Sequence, residues 1–223
     1  MDEQKWTEVD HYITEKLVPA DSVLDSVMDA NEAAGLPSID VAPNQGKLLH
    51  LLALIQGARR ILELGTLGGY STIWLARALP RGGRLVTLEV EPKHAEVAKA
   101  NLKRAGLSKK VDVRVGPALE LLAQLQNEGA APFDLIFIDA DKQNIPAYLG
   151  WTLKLAKPGS LILIDNVVRE GAIVDAASTD PAVQGVRTMF DMLATEPRLS
   201  ATVIQTVGSK GYDGFAMAVV VGN

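Results

Sequence analysis

Phe133-Asp134-Leu135-Ile136-Phe137-Ile138-Asp139-Ala140-Asp141-Lys142-Gln143-Asn144 passes without a break from large apolar residues into a cluster of charge. Leu135 to Ile138 is too short for a helix and apolar at every position, as a strand buried on both faces is. Such a strand belongs to a mostly parallel sheet covered by helices, and these sheets bind ligands beyond the carboxyl ends of their strands. Asp139, Asp141 and Lys142 stand at that end. Leu161 to Ile164 repeats the pattern and delivers Asp165-Asn166. The two strand ends are expected to meet around a metal ion, with a cofactor site beside it.

Outward from this stretch the pattern is strand alternating with helix. Strands are expected at 61–64, 85–88 and 111–115, and helices at 71–79, 92–105, 118–126 and around 145–155. Five strand-helix units make a Rossmann-like, doubly wound α/β sheet. Asp180-Pro181 opens a further helix, running to Thr195. Thr202 to Ile204 and Phe215 to Val221 have no long helix between them, so they are expected to pair antiparallel. Residues 3–17, 21–34 and 44–56 carry apolar stripes at helical spacing, and these three helices are expected to pack over the sheet edge or cap the active-site rim. The chain reads as one domain over 1–223, with a helical cap at 1–57 and an α/β core at 58–223.

Composition excludes several classes. The 48% hydrophobic and 22% charged content is that of an ordinary folded domain. No apolar run approaches the ~20 residues of a membrane span, and the polar N-terminus is not a signal peptide, so the cytoplasm is the default location. The chain has no cysteine, which excludes disulfides and thiolate metal sites. A net charge of −5 argues against a dedicated nucleic-acid binder; Lys103, Arg104, Lys109 and Lys110 form a local basic cluster of the kind found on solvated faces.

Ile61-Leu-Glu-Leu-Gly-Thr-Leu-Gly-Gly-Tyr-Ser71 joins the first strand to its helix. Its glycines permit a tight turn and a close approach of backbone to ligand. The spacing is G-x-x-G-G and not the G-x-G-x-x-G of dinucleotide folds, which argues against an NAD-dependent oxidoreductase. Ser71 either caps the helix or binds a ligand carboxylate. Glu89 ends the second strand, 24 residues after Gly65, where a carboxylate can accept from the hydroxyls of a ribose. Asp139, Asp165 and Asn166 offer oxygen ligands alone, which suit Mg2+ or another hard cation such as Mn2+. Lys142, three residues past Asp139, is the candidate general base.

Glu63-Leu-Gly65 with Gly68-Gly-Tyr-Ser71, then Glu89, Gly116-Pro-Ala118, Asp139-Ala-Asp-Lys142 and Asp165-Asn166, form an ordered set. This set resembles the divalent-metal-dependent class I O-methyltransferases, the family of the caffeoyl-CoA and catechol enzymes. The resemblance spans roughly residues 36–175. It implies S-adenosylmethionine as the methyl donor, held at its methionine end by Glu63, Gly65 and Ser71, with Thr66 and Asp139 also among the donor contacts. Glu89 would take the ribose, Ala118 would flank the adenine and Val41 would cover the donor from above. Asp139, Asp165 and Asn166 would hold Mg2+, or Mn2+ or Ca2+ in its place, and Lys142 would take the proton of the acceptor. A phenolic, catechol-like small molecule is the expected acceptor, a hydroxyuridine of transfer RNA the alternative, and a homodimer the expected assembly. Asp141 is left between a donor contact and a loop support.

Overall fold

Because successive strand residues face opposite sides of a sheet, position along each strand decides which layer a side chain serves. Leu62 and Leu64, Ile136 and Ile138, and Ile162 and Ile164 all enter one core, closed by Leu122, Leu149 and Met189 from the helices above them. Their neighbours Ile61, Leu135, Phe137, Leu161 and Leu163 enter the other, against Leu49, Ile73, Trp74 and Leu102. The computed structural model describes residues 3–222. Its strands are β1 (Arg60–Leu64), β2 (Arg84–Glu89), β3 (Val111–Val115), β4 (Leu135–Ile138), β5 (Leu161–Asp165), β6 (Leu199–Gly208) and β7 (Gly211–Val220). They form one sheet in the order β3-β2-β1-β4-β5-β7-β6. β1 to β5 run parallel and β7 is antiparallel to both β5 and β6. This is the doubly wound, Rossmann-like sheet read from the sequence, and its strand order reverses between β1 and β4.

Helices cover both faces. One layer holds α6 (Ala118–Asn127), α7 (Ile145–Leu155) and α8 (Pro181–Thr195). The other holds α2 (Ser22–Ala33), α3 (Pro43–Ile55), α4 (Tyr70–Ala78) and α5 (Pro92–Arg104). The N-terminal helices therefore correct one expectation. α2 and α3 are part of a face layer, and only α1 (Glu3–Leu17) sits at an edge, against β6 and α3. The close seating of α3 requires Gly46, where an added Cβ would come within 2.4 Å of the Trp74 indole.

The C-terminal strands pair as expected but are longer than the sequence suggests. Gly208 and Gly211 pair across a two-residue turn, Ser209-Lys210. β6 is an edge strand with most of its residues exposed, so its apolar signal is too weak to mark its ends. No helix among the described residues is long and apolar enough to cross a membrane.

Asp21 ties α2 to α4. Its Oδ1 accepts the N–H groups of Val23 and Leu24 at 3.0 and 3.2 Å, capping α2, and its carboxylate pairs with Arg77. Arg77 holds the Asp21 carboxyl below the usual carboxylate range. Its stabilising effect is therefore complete above that range and is lost as the pH falls through the lowered value. Asp21→Ala is expected to cost about 1–2 kcal/mol at pH 7, measured from urea midpoints, with the gap to wild type closing in acid.

Candidate active site

A cleft of about 740 Å³ opens at the C-terminal ends of β1, β2 and β4, where the strand order reverses. Its floor is the turn after β1. Gly65 has φ +92°, and a Cβ there would fall 1.9 Å from the carbonyl oxygen of Asp139. No larger residue fits where the two strand ends pass. Thr66 and Leu67 donate their N–H groups to Glu89 Oε2 at 3.1 and 2.8 Å, and Glu91 N–H donates to Oε1 at 2.9 Å. Glu89 is thereby fixed in the cleft wall, with Oε1 the less occupied oxygen.

Gly65, Thr66, Ser71, Glu89, Ala118, Asp139, Lys142 and Asn166 all line this cleft. Glu63, Val41 and Asp165 do not. Glu63 is fully buried and lies behind the wall, where its carboxylate accepts from Ser71 Oγ at 2.8 Å and Thr72 Oγ1 at 2.5 Å. Ser71 is not the cap of α4, because Gly69 takes that place with φ +87°. Its hydroxyl connects the cleft to Glu63. Burial pushes the Glu63 carboxyl up to about 7 against the pull of the hydroxyls around it. Val41 is buried in the core that α2, α3 and α4 cover, while Ile39 and Asp40 line the cleft.

At the far end of the cleft Lys142 Nζ donates to Asp139 Oδ1 at 2.9 Å. Asp165 lies behind Asn166 and is 5% exposed. Its Oδ1 accepts the Asn166 N–H at 2.8 Å and its Oδ2 accepts Gln45 Nε2 at 2.6 Å. Burial, and then the charge of Asp139, push the Asp165 carboxyl well above the usual range. Among the described residues no group of three or more His, Cys, Asp or Glu could hold a metal. The donors at this corner are two carboxylates and one amide. Two carboxylates at adjacent strand ends, with oxygen donors alone, fit a hard divalent cation.

Four neighbours stand outside the site residues singled out from the sequence. His94, the third residue of α5, lines the cleft with Nδ1 3.6 Å from Glu89 Oε1; its place just after the Glu89 strand end was the available signal. Tyr148 and Asn144 also line it, and both donate to Asp141, so that Asp141 steadies the turn leading into α7. Gln45 lies 120 residues from Asp165, and no local pattern marks it.

The family model described as O-methyltransferase matches residues 9–218. The catechol O-methyltransferase of Niastella koreensis is 53% identical over 220 residues, covering 99% of this chain and all of that protein. The crystal structure of the O-methyltransferase from Bacillus cereus in complex with SAH superposes with a TM-score of 0.97 at 60% identity, covering 98% of this chain and 99% of that one. The O-methyltransferase TomG from Streptomyces achromogenes, involved in tomaymycin synthesis and solved in complex with SAM, gives 0.96 at 50% identity with full coverage of both chains.

Glu63 sets a pH dependence of its own. Its folded value is raised from 4.5 to about 7, so its contribution is complete below the lower figure and is lost as the pH rises through the upper one. Glu63→Gln cannot ionise. Urea midpoints between these limits are expected to fall less steeply with pH in this variant than in wild type; equal slopes would refute the burial argument.

Proposed function

This chain belongs to the O-methyltransferase family, and from that premise we propose that it moves a methyl group from S-adenosylmethionine to one oxygen of a catechol-like small molecule at a Mg2+ centre. The observation that carries the reading is the pair Asp139 and Asp165. They sit at the ends of adjacent parallel strands, where burial and then the charge of Asp139 raise the Asp165 carboxyl, with Asn166 beside them. These three residues would hold Mg2+, or Mn2+ or Ca2+ in its place. A bound dication lowers the pKa of a coordinated hydroxyl and fixes its position, and an acceptor with two vicinal oxygens suits such a centre.

S-adenosylmethionine supplies a methyl group on a sulfonium, which calls for an oxygen nucleophile in line with it. The cleft residues bind and orient the donor. Glu89 accepts from the ribose hydroxyls through Oε1, the oxygen that holds only one backbone N–H. Ser71, its hydroxyl committed as donor to Glu63, offers lone pairs to the amino group of the methionine end. The Gly65-Thr66 backbone and Ala118 line the same cleft, where they would hold the donor and its adenine. Lys142 moves the proton. Its amine rests on Asp139 Oδ1 and its side chain is 11% exposed. As its neutral amine, Lys142 would accept the proton of the acceptor hydroxyl.

The whole chain acts in this reading as one methyltransferase domain and works as a homodimer. Exposed Leu54 and Ile55 on α3 and Ile204 and Val207 on β6 are apolar surface that supports self-association.

Methyl transfer to catechol is expected with Mg2+ present, to fall to background in excess chelator, and to return when Mg2+ is restored. Full activity in chelator would remove the metal role. Lys142→Met is expected to lower kcat by about 10²–10⁴-fold while leaving donor affinity unchanged by calorimetry; a wild-type rate would end its assignment as base.

A further inference from the structure

We infer that Gln45 is a positioning residue for the metal centre: its side-chain amide, presented from α3, holds the second oxygen of Asp165 and so aims that carboxylate at the cation. The inference rests on the reading of Asp139, Asp165 and Asn166 as the ligands.

Strand alternation brings the partners together. Asp165 follows Leu161 and Leu163 on the sheet face that α3 covers. Gln45 is the third residue of α3, so its side chain leaves the helix start close to the strand end. The contact is 2.6 Å from Nε2 to Oδ2, and the Asn166 N–H takes Oδ1 at 2.8 Å. An ionised carboxylate only accepts, so the amide must present its nitrogen. With one donor on each oxygen the plane of the carboxylate is set, and each oxygen keeps a lone pair for a metal. The amide is neutral, so it orients Asp165 without the charge that Lys142 brings to Asp139.

Gln45 is itself held. Its N–H donates to Asn44 Oδ1 at 2.9 Å, Asn44 Nδ2 donates to Asp10 Oδ1 at 2.9 Å, and Asp10 Oδ2 accepts the Ser209 N–H at 2.7 Å. Next to it, Gly46 lets the helix rest on Trp74. A side chain fixed at its root and bonded at its tip to a buried ligand has the form of an outer-shell partner, whose removal typically weakens metal binding by about 10–100-fold.

The test uses the full chain as wild type and as Gln45→Leu, with Gln45→Asn, whose amide is one methylene short, as a second variant should leucine not be tolerated. Mn2+ is titrated and the free ion followed by electron paramagnetic resonance; S-adenosylmethionine binding is measured by calorimetry in chelator, and melting temperature is recorded. The expected result is a Mn2+ Kd raised about 10–100-fold in the variants, with metal-free donor affinity unchanged. An unchanged Mn2+ Kd in a folded variant overturns the inference. So does a joint loss of metal and donor binding with a fallen melting temperature, which marks a merely structural contact. A wild type that binds no Mn2+ would instead remove the metal centre itself, and the role of Gln45 with it.

Discussion

Asp139 and Asp165 repel one another across the ends of two adjacent strands, and the site is organised around relieving that repulsion. Parallel pairing puts residue 138 beside residue 164, so the first polar residue after β4 and the last residue of β5 emerge together. Alternation then turns both toward the face that α3 and α4 cover. Lys142 offsets the charge of Asp139. Asp165, deeper in the fold, is met by an amide and a backbone N–H, and burial and the charge of Asp139 make its ionisation harder, with Lys142 pulling the other way. A divalent ion would relieve both carboxylates at once, which is why an oxygen-only corner next to a donor cleft has a definite chemical meaning.

A second buried acid works differently. Glu63 and Glu89 lie on the same face as the aspartates, because they also follow the alternation of β1 and β2. Glu63 is sealed behind Ser71 and Thr72 and acts through their hydroxyls. Glu89 is bound by three backbone N–H groups and stays at the cleft surface. The backbone of the β1 turn thus sets the conformation of Glu89, and the start of α4 sets that of Glu63.

Much of this was legible in the residues. Apolar runs marked β1, β4 and β5 because a strand covered on both faces is mostly apolar, and the glycines of the 65–69 turn marked the cleft floor. What could not be read depended on contacts between distant segments. Nothing local tells that Ser71 serves Glu63 instead of capping α4, since both roles suit a serine at a helix start. Gln45 reaches Asp165 only once α3 is seated on Trp74. Ile39 and Asp40 line the cleft while Val41 joins the core, a division that no simple alternation along the loop foretells. β6 was read short because an exposed edge strand has little apolar pattern to show.

The strand order also carries a consequence for how the protein comes into being. β7 lies between β5 and β6, yet it is the last strand made. During synthesis β5 must wait with one edge open, and β6 has no place in the sheet, until the residues up to 220 have left the ribosome. The Asp165 end of β5 gains its final neighbour, Phe215, only then. The corner at Asp139, Asp165 and Asn166 therefore receives its last strand neighbour after the segments around Gly65 and Glu89 have been made.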